Sequence, residues 1–317
     1  MRALSWDGVR ARVVEDAPAP VPSSDDVLVR VRYAGICSTD LQILSGYLGF
    51  RGIPGHEFVG EVVAGPVETI GRRVVGEINF ACGRCATCSA GRPRHCPSRA
   101  VLGIVAADGA FAELVRLPAS NLHMVPDDWP DVWGVFVEPL AAAIEAERQS
   151  QAYAGHRTLV VGAGKLGLLI GQVLAARGDR VTVLARRQTA VDRAQKLGLF
   201  AVMADPAPGG WDLVVEATGE EAGLGIALRA VRPLGAIVLK STRTGSYDVD
   251  LAPLVIHEVT VIGSRCGPFR PAIEALASRQ VRVDSMIEAT FPLREASAAF
   301  ACAAEPGALK VLLDPAG

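Results

Sequence analysis

"RTLVVGAGKLGLLIGQVLAARGDRVTVLARR", residues 157–187, reads as strand, glycine-rich turn, helix, strand. An apolar run at 158–161 leads into Gly162, Gly164 and Gly167, spaced G-x-G-x-x-G. Glycines at these positions permit a tight turn. They also let a pyrophosphate approach a helix N-terminus, where free N–H groups and the helix dipole favour an anion. The three glycines alone say little. Between a strand and an amphipathic helix they point to dinucleotide binding.

Short apolar runs alternate with helical patterns after this unit: "AVMA" (201–204), "LVVEATG" (213–219), helical "EAGLGIALRAV" (221–231), "AIVLKS" (236–241) and "VTVIGS" (259–264). Six strands from residue 158 onward predict an α/β fold with a doubly wound parallel sheet. The end of the second strand bears on the cofactor. NAD sites usually place Asp or Glu there to bond the ribose 2′-hydroxyl. This chain has Val183, Leu184, Ala185, Arg186 and Arg187. Two guanidinium groups match phosphate oxygens, so NADP is expected over NAD. The bland alternative is that both arginines cap a solvent-facing strand end. Lys165 and Leu166 inside the turn and Thr218 after a later strand complete the expected cofactor-binding set.

Working outward, "ACGRCATCSAGRPRHC" (81–96) holds Cys82, Cys85, Cys88 and Cys96 in a C-x2-C-x2-C-x7-C array, four of only seven cysteines in 317 residues. Four thiolates satisfy a tetrahedral zinc and leave no open position, so the expected site is structural. Two disulfides or an iron–sulfur cluster are the alternatives. A reducing compartment disfavours the first, and the spacing is not a ferredoxin run. A second constellation is more open: Cys37 in "YAGICSTDLQ", His56 and Glu57 in "PGHEFVGEV", and Glu138 in "VFVEPLAAAI". Thiolate, imidazole and carboxylate together suffice for a catalytic zinc with a free coordination position. Taken singly, each has an ordinary explanation as a core or helix-start residue.

The net charge is −2 and about half the residues are apolar. No basic stripe suggests nucleic acid, no signal-peptide core opens the chain, and no long uncharged apolar stretch suggests a membrane span. The expectation is a cytoplasmic protein of roughly two domains whose partners are small molecules or copies of itself. Cys266 and Cys302 lack ligand spacing. Trp129 and Trp133 are read as packing residues, and the loop with Tyr47, Leu48 and Phe50 is a candidate to reach the substrate.

These motifs, in this order, resemble the zinc-dependent medium-chain dehydrogenase/reductases, the alcohol and polyol dehydrogenase superfamily. "GICSTD", "GHEFVGEV", the four-cysteine lobe, "DGAFAEL", "EPLA", "GAGKLG" and "FPLREASAAF…GALKVLL" carry the resemblance over nearly the whole chain. It implies a GroES-like, β-rich catalytic domain built from residues 1–143 and 264–317, around a Rossmann domain at 144–263. It implies that Cys37 and His56 bind a catalytic zinc, with Glu57 beside it and Glu138 as the third protein ligand, directly or through water. Asp40 would orient His56, and Thr39 would relay the substrate proton. Two zinc ions per chain and a homodimer or homotetramer follow from the same resemblance.

Some positions depart from common members. Glu138 stands where many alcohol dehydrogenases have Cys, as in the sorbitol and polyol branch. Gln42 replaces a relay histidine, Ser38 replaces a pyrophosphate-binding arginine, and the "GPVETIGRRVV" loop is short. The implied activity is hydride transfer between NAD(P) and a secondary alcohol, polyol or sugar. The competing readings are a zinc-free quinone or enoyl reductase and a non-catalytic dinucleotide-binding protein, both of which usually lack this ligand set.

Overall fold

The computed structural model describes residues 1–242, Ser246 and 248–317. The chain divides into two compact units, Met1–Glu138 with Ile287–Gly317, and Pro139–Met286. The second unit begins five residues before the 144 read from the sequence and ends at 286 instead of 263. The late return has a visible cause. Gln172, in the helix Lys165–Ala176, accepts the Arg282 N–H at 2.8 Å and donates to the Arg282 carbonyl at 3.1 Å. Phe269, Ala272 and Leu276 on the helix Phe269–Ala277 are buried as well.

The first unit is built on antiparallel pairing. Asp26–Gly35 alternates strictly at Val27, Val29 and Val31, which are buried, and Arg30, which is exposed. That period of two is what a strand with one core face requires. It lies in a seven-stranded sheet between Glu57–Ala64 and Lys310–Asp314, so both ends of the chain meet there. Register decides the rest. Gly35 faces Glu57 on one side and Leu312 on the other. Cys37, Glu57 and Lys310 therefore collect at one end of the same three strands. A separate three-stranded sheet, Asn79–Phe80, Ala100–Leu102 and Ala106–Ala107, carries the cysteine lobe.

The second unit holds a six-stranded, all-parallel sheet. Its strands are Arg157–Val161, Arg180–Leu184, Phe200–Val202, Trp211–Glu216, Val231–Leu239 and Thr260–Gly263. Numbered in chain order, they lie 3-2-1-4-5-6, the doubly wound arrangement the sequence predicts. The central strands are buried on both faces, as a parallel sheet with helices on either side must be. Leu159, Val161, Val214, Ala227 and Ile237 form part of that core. Each of the larger side chains, the leucine, valines and isoleucine, stabilises by about 1.5–3 kcal/mol through burial.

Candidate active site

The four lobe cysteines converge. Cys85 Sγ lies 3.5 Å from Cys88 Sγ and 3.8 Å from Cys96 Sγ, and Cys96 Sγ lies 3.6 Å from Cys82 Sγ. All seven cysteines are free thiols, so these are not disulfides. Four sulfurs about 2.3 Å from one ion stand about 3.8 Å apart, so the group fits a tetrahedral zinc. Among the four only Cys96 is buried, and the intervening residues bury almost nothing. The lobe lacks an apolar core of its own, so an ion is the natural organiser. His95 is exposed and faces no opening in this shell.

At the sheet end, ligand atoms of Cys37, His56 and Glu57 lie within 4.8 Å of one another. Cys37 caps the short helix Ser38–Ile43, and its N–H donates to Asp40 Oδ2 at 2.8 Å. The other oxygen, Asp40 Oδ1, sits 3.3 Å from His56 Nδ1, close but out of hydrogen-bond alignment. With Nδ1 turned to Asp40, Nε2 is the nitrogen left to face an ion. Burial alone would lower the His56 pKa. The Asp40 carboxylate and the Cys37 sulfur outweigh it and hold the imidazole well above its ordinary value. Thr39 Oγ1 lies 3.8 Å from Cys37 Sγ.

Glu57 shows what the sequence reading missed. Its Oε2 pairs with the Lys310 ammonium, and both side chains are 1 % exposed. Burial disfavours that ammonium, but the charges of Glu57 and Cys37, and more weakly Glu138, raise its pKa above the ordinary lysine value. The pair needs Gly35. A Cβ there would stand 2.5 Å from Val135 Cγ1, 2.8 Å from Glu57 Oε2 and 3.0 Å from Lys310 Cδ. Glu57 Oε1 is buried with no hydrogen-bond partner. A buried carboxylate oxygen without a partner beside a thiol and an imidazole is a donor set that zinc accepts. The signal for Lys310 was present in "GALKVLL": a lysine inside an apolar strand is almost never buried without a partner.

Glu138 sits half-buried in the first turn of the helix Val137–Gln149, outside the trio of ligand atoms that lie within 4.8 Å of one another. Trp129 and Trp133 are buried edge-to-face at 5.8 Å, so they pack. Phe50 is buried in a cluster with Trp6 and Ile43, and Tyr47 packs partly buried against it. Leu48 is the exposed large apolar side chain of that loop, at a left-handed φ of 58°.

The glycine turn fits a dinucleotide. Gly162 has φ 112°, Gly164 caps the helix Lys165–Ala176, and nothing lies within 4 Å of where a Gly164 Cβ would stand. A Cβ on Gly167 would stand 1.9 Å from the Gly162 carbonyl oxygen, so the helix packs here only over glycine. Thr218 donates its N–H and hydroxyl to the buried Glu216 Oε1, at 2.7 and 2.6 Å. Arg186 and Arg187 are exposed past the second strand, and Arg186 is paired with Glu220.

Comparison with known proteins agrees with this geometry. Residues 23–127 match the alcohol dehydrogenase GroES-like domain, and residues 131–314 match the glucose dehydrogenase C-terminus. The chain is 33% identical to an L-threonine 3-dehydrogenase of Streptomyces coelicolor over 94% of each chain. It is 29% identical to D-arabinitol dehydrogenase 1 of Uromyces fabae, over 99% of this chain and 97% of that one. Among solved structures, a short chain alcohol dehydrogenase of Escherichia coli complexed with NADH superposes with TM-score 0.90 at 28% identity, covering 99% of both chains. A Sinorhizobium meliloti structure, described as a zinc-binding dehydrogenase bound to NADP, gives TM-score 0.89 at 30% identity, again over 99% of both. Matched along its length by these proteins, the chain belongs to the zinc-type medium-chain alcohol and polyol dehydrogenases.

Proposed function

We propose that this protein is a zinc-dependent dehydrogenase that moves a hydride between NAD(P) and a secondary alcohol, with polyols, sugars and amino alcohols as its substrate class. The observation that carries the reading is the Cys37–His56–Glu57 trio with its buried, unpartnered carboxylate oxygen. Cys37 and His56 would hold the catalytic ion, Glu57 and Glu138 would complete or exchange in its shell, and Cys82, Cys85, Cys88 and Cys96 would hold the structural one. When bound, zinc supplies Lewis acidity toward the substrate oxygen and the nicotinamide supplies the hydride acceptor.

The chain's own residues do the rest. Thr39 accepts the substrate hydroxyl proton as it hands on its own. Asp40 fixes the His56 ring. Lys310 supplies the countercharge beside the buried Glu57 carboxylate. Gly162, Gly164, Lys165, Leu166, Gly167 and Thr218 would receive the dinucleotide, and Arg186 with Arg187 favours NADP. Glu138 at the position where many relatives use cysteine, together with relatives named for D-arabinitol and L-threonine, supports hydroxyl-rich substrates.

A homodimer or homotetramer fits the largely exposed edge strand Thr260–Gly263 and its exposed apolar neighbours Leu251, Val255 and Ile256, since a bare edge invites pairing. Seven free thiols fit a reducing cytoplasm. No helix among the described residues is long and apolar enough to cross a membrane.

The test is absorbance of the reduced nicotinamide, with zinc-loaded protein and a panel of polyols, sugars and amino alcohols. Reduction of NADP by at least one of them is expected, with two zinc ions bound per chain. Two bound zincs and no reduction of either cofactor, and no carbonyl reduction in the reverse direction, would sink the proposal.

A further inference from the structure

The strand order places a charge pair over the glycine turn. Arg157–Val161 leads into that turn and is flanked by Arg180–Leu184 on one side and Trp211–Glu216 on the other. Arg186 follows the first flanking strand and Glu220 the second. Their side chains meet across the central strand's carboxyl end, with Arg186 Nη1 donating to Glu220 Oε2 at 2.5 Å. Neighbouring strands are about 4.8 Å apart, so the pair bridges roughly 10 Å of sheet edge. This is the crevice in which a doubly wound sheet receives its nucleotide.

The Glu220 end is anchored. Three consecutive backbone N–H groups are taken by side chains: Thr218 by Glu216 Oε1 at 2.7 Å, Gly219 by Ser241 Oγ at 2.7 Å and Glu220 by Thr218 Oγ1 at 3.0 Å. Glu216 is itself buried. The backbone that carries the Glu220 carboxylate is thus held by a buried carboxylate and two hydroxyls, and Arg186 reaches over to it.

We propose that Glu220 sets cofactor selectivity by competing with the 2′-phosphate of NADP for Arg186. The inference rests on the reading of Arg186 as a 2′-phosphate ligand. In the free protein the guanidinium is already neutralised by an internal carboxylate. NAD, with only a 2′-hydroxyl, leaves that pair in place. NADP must displace the carboxylate and then sit close to it. Both partners are more than half exposed, 59% and 58%, so the exchange is affordable. Exposed ion pairs are worth at most about fivefold in an equilibrium, while a guanidinium grips phosphate oxygens through two parallel hydrogen bonds. The outcome is a protein that accepts both cofactors, with an NADP preference held below what its two arginines alone would give.

The experiment is direct calorimetric binding of 2′,5′-ADP and 5′-AMP, two adenosine fragments that differ only in the 2′-phosphate, to the zinc-loaded protein. Glu220→Gln keeps the shape and removes the charge. It should tighten 2′,5′-ADP about five- to tenfold, from loss of the competitor and of like-charge repulsion. Binding of 5′-AMP should stay within about twofold, which also shows that the variant is folded, and the gain should shrink as salt is raised. Arg186→Ala should weaken 2′,5′-ADP alone. If Glu220→Gln leaves 2′,5′-ADP unchanged while Arg186→Ala weakens it, the competition is wrong and the arginine reading stands. If neither variant changes 2′,5′-ADP binding, both are wrong.

Discussion

The two candidate metal-binding clusters of the first unit are built in opposite ways. The cysteine lobe draws all four donors from fifteen residues of local chain, with glycine at its left-handed positions, Gly83 and Gly91. Cys37 comes from one segment, the adjacent His56 and Glu57 from a second, and Lys310 from the far end of the chain. Strand register brings them together. The local cluster has no buried charge to satisfy and no spare donor. The assembled one holds a buried aspartate, histidine, glutamate and lysine at 0–3 % exposure, and two carboxylate oxygens, Asp40 Oδ1 and Glu57 Oε1, are left without a hydrogen bond. A closed shell organises a lobe. Three protein donors would leave a fourth zinc position open, and that is where an exchangeable ligand belongs.

The largest effect that would separate the two is His56→Ala. Loss of the imidazole should cut turnover by on the order of 1,000-fold, since the ion that polarises the substrate oxygen is worth several kcal/mol. Zinc content should fall from two to one per chain, with the remaining ion at the lobe. Turnover near the original level, or loss of both ions together, would show that the two clusters are not independent.

Legibility follows the same divide. The lobe could be read in full because C-x2-C-x2-C-x7-C confines its donors to one loop. The parallel sheet was equally readable, since its strands are short apolar runs, all but Phe200–Val202 followed by a helix, and its six strands lie where those runs fall. Cys37, His56 and Glu57 were readable only in combination, because nothing local distinguishes a ligand cysteine from a core one. Lys310 went unread although its apolar surroundings signalled burial. Its partner lies 253 residues away in sequence, and only the pairing of Asp26–Gly35 with both neighbours brings it there. Arg186 was read as free for a phosphate. The Glu220 that holds it belongs to another strand's loop, which no pattern at residue 186 reveals.

Lys310→Met sharpens the comparison next. The substitution leaves Glu57 buried and unpaired, and breaking such a pair costs about 3–5 kcal/mol. The midpoint of denaturant unfolding followed by circular dichroism should fall accordingly. Adding Glu57→Gln should restore most of the loss, because the methionine fills the lysine's volume and the amide carries no charge. If the double variant were no more stable than the single one, the lysine's role would be packing and not neutralisation. No equivalent substitution exists in the lobe, where no charged side chain is buried.

The smallest effect concerns protons at the lobe. Without metal, Cys82 is lowered to about 6, chiefly because its sulfur accepts the backbone N–H groups of Arg84 and Cys85. Cys88 is pushed up to about 12, by loss of hydration first and then by the neighbouring sulfurs of Cys85 and Cys96. Above pH 6 Cys82 is already a thiolate, and it loses that form as the pH falls through 6. Cys88 keeps its proton through the whole neutral range and must surrender it to an ion. Zinc loading of the lobe between pH 7 and 8 therefore releases at least one proton, and affinity should rise at least about tenfold per pH unit. Below pH 6 the slope should steepen as Cys82 also takes up a proton. Competition with a chromophoric chelator in the His56→Ala variant isolates the lobe and measures both slopes. A flat dependence from pH 7 to 8 would mean that Cys88 is already ionised before the ion arrives. The lobe would then be pre-organised by its backbone, as the assembled site is by its strands, and the contrast between local and assembled construction would lose its energetic content.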